Sequence, residues 1–281
     1  MALIALGVFI HILKTYVIMN LKKSYHEQYG YERLVTSRNS PLTYTEFDML
    51  KLHEGEEFKI DEIEKEFVLI VLEGKCDVYG ENFKFEKVGY RKSTLEVVGA
   101  ESVYVGKNEP FTVKGVGGDV RIAVCKAPAP KYFKPQVIRH NEIKMAKFGK
   151  DTFVRDVAFT FPETMEANYL YIGEYWVNNG FWASFPPHKH DVENGVEGAL
   201  DEIYYYEFDK PQAFGTQMVY TSDKTIDEAY RIQHGDLVEI PRGYHPMNVA
   251  PGYKNYTLWV MAGPRRGLLS TGEECHKWIN K

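Results

Sequence analysis

The chain has 281 residues, 44% of them hydrophobic and 26% charged, with a net charge of −5. That length suits two domains of about 100–150 residues, each able to bury a core without disulfides. No long basic run occurs, which argues against a nucleic-acid partner.

The first residues, MALIALGVFI (1–10), are apolar, but His11 and Lys14 break the run short of the ~20 residues a membrane span needs. No basic stretch precedes it and no small-residue cleavage site follows, so it does not read as a signal peptide. Met19 opens an ordinary polar start, MNLKKSYHEQYGYE. The expectation is that residues 1–18 are an upstream extension from a start site set too early, with a weak membrane anchor as the alternative. Cys76, Cys125 and Cys275 are odd in number and form no CxxC pair, which fits a reducing, cytoplasmic compartment.

From about residue 40 the chain reads as short strands. FVLIVLEG (67–74), CDVYG (76–80), SVYVG (102–106), FTVKGV (111–116) and VRIAVCKA (120–127) are β-branched or aromatic and bounded by turn residues. The prolines of KAPAPKYFKPQ (126–136) suit neither helix nor inner strand, so this segment is expected to link two domains. The alternative is a long loop inside one larger domain. The rhythm then resumes with ANYLYIGEYWV, GFWASF, EIYYYEF, TQMVYT, LVEIP and NYTLWVMAG. Such spacing predicts an all-β sandwich or barrel architecture. Helix is expected only at TIDEAYRI (225–232), at ECHKWIN near the end, and in the N-terminal extension.

The chemistry concentrates in the second half. In SFPPHKHD (184–191), His188 and His190 are two apart, so on a strand both imidazoles face one point. Converging neutral imidazoles suit zinc, manganese, iron or nickel; two unrelated histidines are the plain alternative. Glu202 opens EIYYYEF on the same face as Tyr204 and Tyr206 and is a candidate third ligand, or else one more surface acid. GDLVEIPRGYHP (235–246) reads as a hairpin that carries His245 onto a strand which a barrel could bring beside His188.

Gly180, His188-x-His190, Glu202, the glycine–proline turn and His245 together resemble the two motifs of the cupin superfamily. That resemblance implies two small cupin (jelly-roll) barrels over 19–130 and 131–281. It also implies a metal held in the second by His188, His190, Glu202 and His245. Two departures stand out: eleven residues separate His190 from Glu202, with Glu193 and Glu197 as rival ligands, and one residue separates Gly243 from His245. Both fit a narrower group. PPHKHD, the late glutamate before YYY, PRGYHP and PGYKNYTLWVMAG resemble the 5-deoxy-glucuronate isomerases of myo-inositol catabolism, related to the 5-keto-4-deoxyuronate isomerases of pectin breakdown. The first half has no HxH and is expected to keep the fold without the metal.

The resemblance implies an aldose–ketose isomerisation of a small acidic sugar at one divalent ion, zinc or manganese before iron or nickel. Proton-transfer candidates are Tyr204, Tyr206, Lys189, the second oxygen of Glu202 and a metal-bound water. Lys189, between the two histidines, is expected to point outside the barrel. Arg155 and Arg242 are candidates for the substrate carboxylate because guanidinium offers it a bidentate fork; a surface salt bridge is the plain alternative for each. Gln217 is expected on an inner strand beside the substrate. A homo-oligomer is compatible with the sequence. Competing readings are the pectin-pathway substrate, separable by assaying both sugars, a metal-dependent dioxygenase, separable by oxygen uptake, and a non-catalytic sugar-binding cupin.

Overall fold

The structure is a computed structural model and describes residues 20–280; the expected extension at 1–18 lies outside them. Strand dominates, and the reason is visible in the alternation. In Asp201–Phe208, residues 202, 204, 206 and 208 face one cluster of apolar side chains while 203 and 205 face another. Successive side chains of a strand leave on opposite faces, so a strand buried on both sides reads as a near-continuous apolar run.

A six-stranded sheet runs in the order Gln136–Ile138, Ser102–Val105, Lys65–Glu73, Val120–Pro128, Glu46–Leu52, Gly30–Val35. A seven-stranded sheet runs Lys22–Ser24, Asp236–Ile240, Asp201–Phe208, Lys254–Ala262, Leu170–Asn178, Arg155–Phe161, Lys144–Phe148. Each faces a smaller four-stranded sheet. Leu69, Val71 and Val124 of the six-stranded sheet pack against Val78, Phe111 and Val113 of its partner. Tyr204, Val238 and Trp259 of the seven-stranded sheet pack against Val219, Ile232 and Met247 of the other. The most populous cluster lies between the two large sheets, where Phe47, Met49, Ile70 and Ala123 meet Ile172, Ile203, Tyr256 and Leu258. Burying one such large side chain contributes roughly 1.5–3 kcal/mol, so this central layer is a core and not a loose contact.

The sequence partition at 130/131 is crossed from both sides. Lys22–Ser24 pairs with Asp236–Ile240 at the edge of the later half's sheet, and Gln136–Ile138 pairs with Ser102–Val105 at the edge of the earlier one's. Each half thus closes an edge of the other, covering backbone groups that would otherwise stand open.

One expected helix is a strand. Asp227–Ile232 forms a hairpin with Gly215–Tyr220. Ile226, Tyr230 and the residues between satisfy a helical and an alternating period alike. The turn decides: Asp223 accepts hydrogen bonds from the hydroxyls of Thr221 and Thr225, and Lys224 adopts φ 57°. The terminal Glu274–Asn280 forms a 3-10 helix.

Two carboxylates tie the halves together in the same way. Asp201 accepts backbone N–H bonds from Thr43 (2.6 Å), Tyr44 (2.7 Å) and Thr45 (3.0 Å). Glu66 accepts them from Asn168 (2.7 Å), Tyr169 (2.7 Å) and Leu170 (2.9 Å). Removing either carboxylate strands three inward N–H groups. Asp201→Ala and Glu66→Ala are each expected to lower unfolding free energy by about 2–4 kcal/mol in urea titrations. Only Asp201→Ala, next to Glu202, is expected to weaken metal binding as well; equal metal affinity in both variants would contradict that link.

Candidate metal centre

The His188–Lys189 strand pairs with Thr271–Gly272. His190 follows it and is fixed twice to Leu200: Leu200 N–H donates to the His190 carbonyl at 3.0 Å, and His190 Nδ1 bonds the Leu200 carbonyl at 2.8 Å. The eleven-residue gap is thus a loop pinned at its ends. Its rival acids are engaged elsewhere. The buried Glu197 carboxylate accepts from Lys189 Nζ (2.7 Å) and from the N–H groups of Asp191 and Val192, and Glu193 lies 3.5 Å from Arg265. Lys189 therefore points away from the imidazoles.

His245 is set by a tight turn. Gly243 adopts φ 96°, where a side chain would be strained, and its N–H donates to Asp191 at 2.7 Å. Tyr244 pairs with Tyr220, and His245 Nδ1 bonds the Gly243 carbonyl at 2.9 Å.

Three imidazoles from distant segments meet here: ligand nitrogens of His188, His190 and His245 all lie within 4.8 Å of one another. Glu202 Oε2 is 3.2 Å from His190 Nε2 and 3.3 Å from His245 Nε2. Glu202 Oε1 and His245 Nε2 are buried and have no hydrogen-bond partner. Such orphans are costly in a folded interior. The donor set fits a first-row divalent ion, which would take up His245 Nε2 and one oxygen of the Glu202 carboxylate. The outward nitrogens of His190 and His245 are held by backbone carbonyls, and His188 bonds the Pro186 carbonyl, the arrangement that fixes ligand tautomers.

Burial pushes His188 down to about 3 and His245 well below the usual histidine range, so both are neutral and ready to ligate. Burial also opposes charge on His190, but the hydrogen bond and charge of Glu202, with the Leu200 carbonyl and the charge of Asp191, together outweigh this and raise its pKa. Burial raises Glu202 in turn.

Two of the centre's residues, His188 and Glu202, line a cavity. Val157, Phe159, Trp259 and Met261 form an apolar wall, and Arg155, Tyr175, Ser184 and Tyr204 bring polar groups to it. Gly173 leaves the space that the Trp259 ring fills.

Residues 19–279 match the model of the KduI/IolB family. The chain belongs to that family. It is 36% identical to the 5-deoxy-glucuronate isomerase of Bacillus subtilis (strain 168) over 247 residues, 87% of this chain and 91% of that one. It is 34% identical to the 5-deoxy-glucuronate isomerase of Listeria monocytogenes serotype 4a over 247 residues, covering 87% and 90%. The crystal structure of an IolB-like protein from Salmonella typhimurium LT2 superposes with TM-score 0.89 at 34% identity, covering 93% of this chain and all of that one. Oxalate decarboxylase of Lactobacillus farciminis superposes with TM-score 0.65 at 11% identity, covering 94% and 90%, which reports shared cupin-like fold alone. By its membership the chain is an isomerase.

Among the residues expected at the substrate, the structure brings Arg155, Glu202 and Tyr204 to the cavity. It places three others elsewhere. Arg242 is exposed, its guanidinium bonded to the Thr225 hydroxyl at 2.8 Å. Gln217 is fully buried and its amide donates to the carbonyls of Met218 and His245 at 2.8 Å, so it supports the backbone of His245 and does not face the cavity. The Tyr206 hydroxyl is taken by Gln217 at 2.6 Å. Sequence reasoning missed Tyr175, Tyr171 and Ser184. The first two share a strand face in YIGEY, a signal that alternation carried.

His190→Ala is expected to reduce bound metal well below one ion per chain by elemental analysis; full occupancy would refute the ligand assignment. Because the folded protein holds His188 and His245 neutral, the unfolded chain binds more protons between their folded and unfolded pKa values. The metal-free protein should therefore lose stability as pH falls from about 6.5 toward 4. Urea midpoints should show that fall, and His188→Gln should make it shallower.

Proposed function

We propose that this chain converts 5-deoxy-glucuronate to 5-dehydro-2-deoxy-gluconate, as in myo-inositol catabolism, at one divalent ion held by His188, His190, Glu202 and His245 inside a cupin barrel formed by the seven-stranded sheet and its partner. The observation that carries this reading is a convergent His–His–His–Glu set whose His188 and Glu202 line one cavity with a half-buried guanidinium, Arg155, that has no carboxylate partner among the described residues. The names of the relatives supply the sugar; the cavity supplies reasons why these residues suit it.

The reaction is an internal redox exchange that needs no added oxidant. The C2–H bond breaks, a C1–H bond forms, and a hydroxyl proton passes from O2 to O1. When bound, the ion would polarise the carbonyl oxygen and offset the charge that gathers on it.

Arg155 serves the remote carboxylate. Among the described residues its side chain makes one hydrogen bond, to the Phe153 carbonyl at 3.3 Å, and burial pushes its pKa down. A substrate carboxylate would relieve that and fix the sugar's direction. Tyr204 Oη lies 2.6 Å from Ser184 Oγ. Burial holds this phenol well above its usual range, so it works neutral, passing the oxygen-bound proton. Glu202 Oε1, orphaned and facing the same space, is positioned to carry the proton from C2 to C1. The apolar wall of Val157, Phe159, Trp259 and Met261 excludes water from the exchange.

The test is turnover of 5-deoxy-glucuronate by the metal-loaded protein, followed by NMR, beside 5-keto-4-deoxyuronate. We expect turnover of the first sugar, loss on chelation and recovery when metal is restored. Preference for the second sugar, or oxygen consumption, would overturn the assignment. Arg155→Lys should raise KM roughly tenfold with a smaller change in kcat, because an ammonium cannot reproduce the bidentate fork. An unchanged KM would remove Arg155 from the carboxylate.

A further inference from the structure

We propose that Tyr175 is a substrate-contacting residue whose hydroxyl hydrogen-bonds a sugar oxygen between the metal centre and Arg155; this rests on the cavity being the sugar-acid site. Tyr175 belongs to the Leu170–Asn178 strand and pairs across the sheet with Val157 on one side and Thr257 on the other. Its ring stands perpendicular to that of Tyr204, with centroids 5.8 Å apart, and the Arg155 guanidinium lies over it at 5.9 Å. Tyr175 therefore bridges the cation for the carboxylate and the hydroxyl pair Tyr204–Ser184.

Its exposure is only 3%, yet it lines the cavity. The hydroxyl has no hydrogen-bond partner of acceptable geometry, although Thr257 and Tyr204 are its neighbours. A phenol serving only the core would keep its ring and lose nothing by losing the oxygen. Buried tyrosine hydroxyls ordinarily find partners, as Tyr104 does with Glu66 at 3.1 Å and Tyr256 with Glu174 at 2.6 Å. Tyr175 departs from that pattern at the one place where a polyhydroxylated ligand would supply the acceptor. A site built to bond a substrate hydroxyl discriminates strongly against its loss, because the buried group is then left alone.

The experiment compares the metal-loaded wild type with Tyr175→Phe and, as a control for the ring, Tyr175→Leu. Measured are metal content, thermal midpoint, calorimetric affinity for glucuronate as a non-deoxy probe, and kcat/KM with 5-deoxy-glucuronate. For Tyr175→Phe we expect one metal per chain and a thermal midpoint equal to or above wild type. We also expect glucuronate affinity and kcat/KM each lower by about tenfold or more. Tyr175→Leu should lower the midpoint. Affinity and kcat/KM within twofold of wild type in Tyr175→Phe would overturn the proposal. So would a fall in midpoint as large as that of Tyr175→Leu, which would mark the hydroxyl as structural. If the wild type fails to isomerise the sugar but Tyr175→Phe still weakens glucuronate binding, the isomerase reading falls and the contact stands. If the wild type turns over and Tyr175→Phe behaves identically, the contact falls and the isomerase reading stands.

Discussion

The Asp201–Phe208 strand is the constraint on which the rest of the molecule depends, because its two faces do different work. One face turns Glu202 and Tyr204 into the cavity. The other turns Asp201, Tyr205 and Glu207 toward the first half of the chain, where each finds a partner. Asp201 clasps the backbone of residues 43–45, and Glu207 takes Arg121 and the Thr94 hydroxyl. Burial would raise the Glu207 pKa, but the charge and hydrogen bonds of Arg121 hold it down to about 2. A buried pair of this kind adds little net stability over apolar packing, yet breaking it is costly. It therefore fixes register more than it adds strength, and a strand in fixed register presents Glu202 to the histidines and not one of its neighbours.

The same layout occurs twice with different contents. Glu66 clasps residues 168–170 as Asp201 clasps 43–45, and each carboxylate lies at the start of a strand flanked on both sides in its sheet. The next residue is Glu202 in one half and Phe67 in the other, both fully inside. Phe67 packs on Phe111, with ring centroids 5.3 Å apart, and joins Leu69 and Val71 in a closed apolar core. The first half also buries Lys126, but its ammonium sits against Asp48 with Glu46 at 3.5 Å and Glu62 at 3.6 Å. The only cluster of three histidines among the described residues belongs to the second half. The first half thus contributes an interface and an edge strand, while the second holds the candidate centre.

Much of this was legible in the sequence for a physical reason. A strand buried on both faces leaves an unbroken apolar run, as in FVLIVLEG and NYTLWVMAG, and metal donors are few in kind, so His188, His190, Glu202 and His245 stand out against it. What was not legible depends on which way a polar side chain turns once the fold closes. Arg242 and Gln217 carry the right groups for an acid sugar, but one lies at the surface on Thr225 and the other is consumed by carbonyls behind His245. Glu197 looked like a rival ligand until the loop folded it onto Lys189. Residues 22–24 and 136–138 are too short to reveal that each completes the opposite sheet. Asp227–Ile232 satisfied two periods, and only its partner strand could choose between them.

Three of the six buried side-chain atoms without a hydrogen-bond partner among the described residues gather at the candidate centre, the others being Asp48 Oδ1, Arg121 Nε and Glu239 Oε1. Buried cations elsewhere are matched: Arg121 by Glu207, Arg91 by Glu174 at 2.7 Å, Lys126 by Asp48. At the candidate centre and its cavity, Glu202 Oε1, His245 Nε2 and the Tyr175 hydroxyl have no hydrogen-bond partner and Arg155 has no carboxylate among the described residues. A protein of marginal stability retains such groups together only where the surrounding framework holds them against relaxation. Here that framework is the clasped interface directly behind the Glu202 strand. The clasped interface and the cavity are thus opposite faces of one sheet. A metal ion at the histidines, together with an acidic sugar whose carboxylate meets Arg155 and whose hydroxyl meets Tyr175, would satisfy these groups at once.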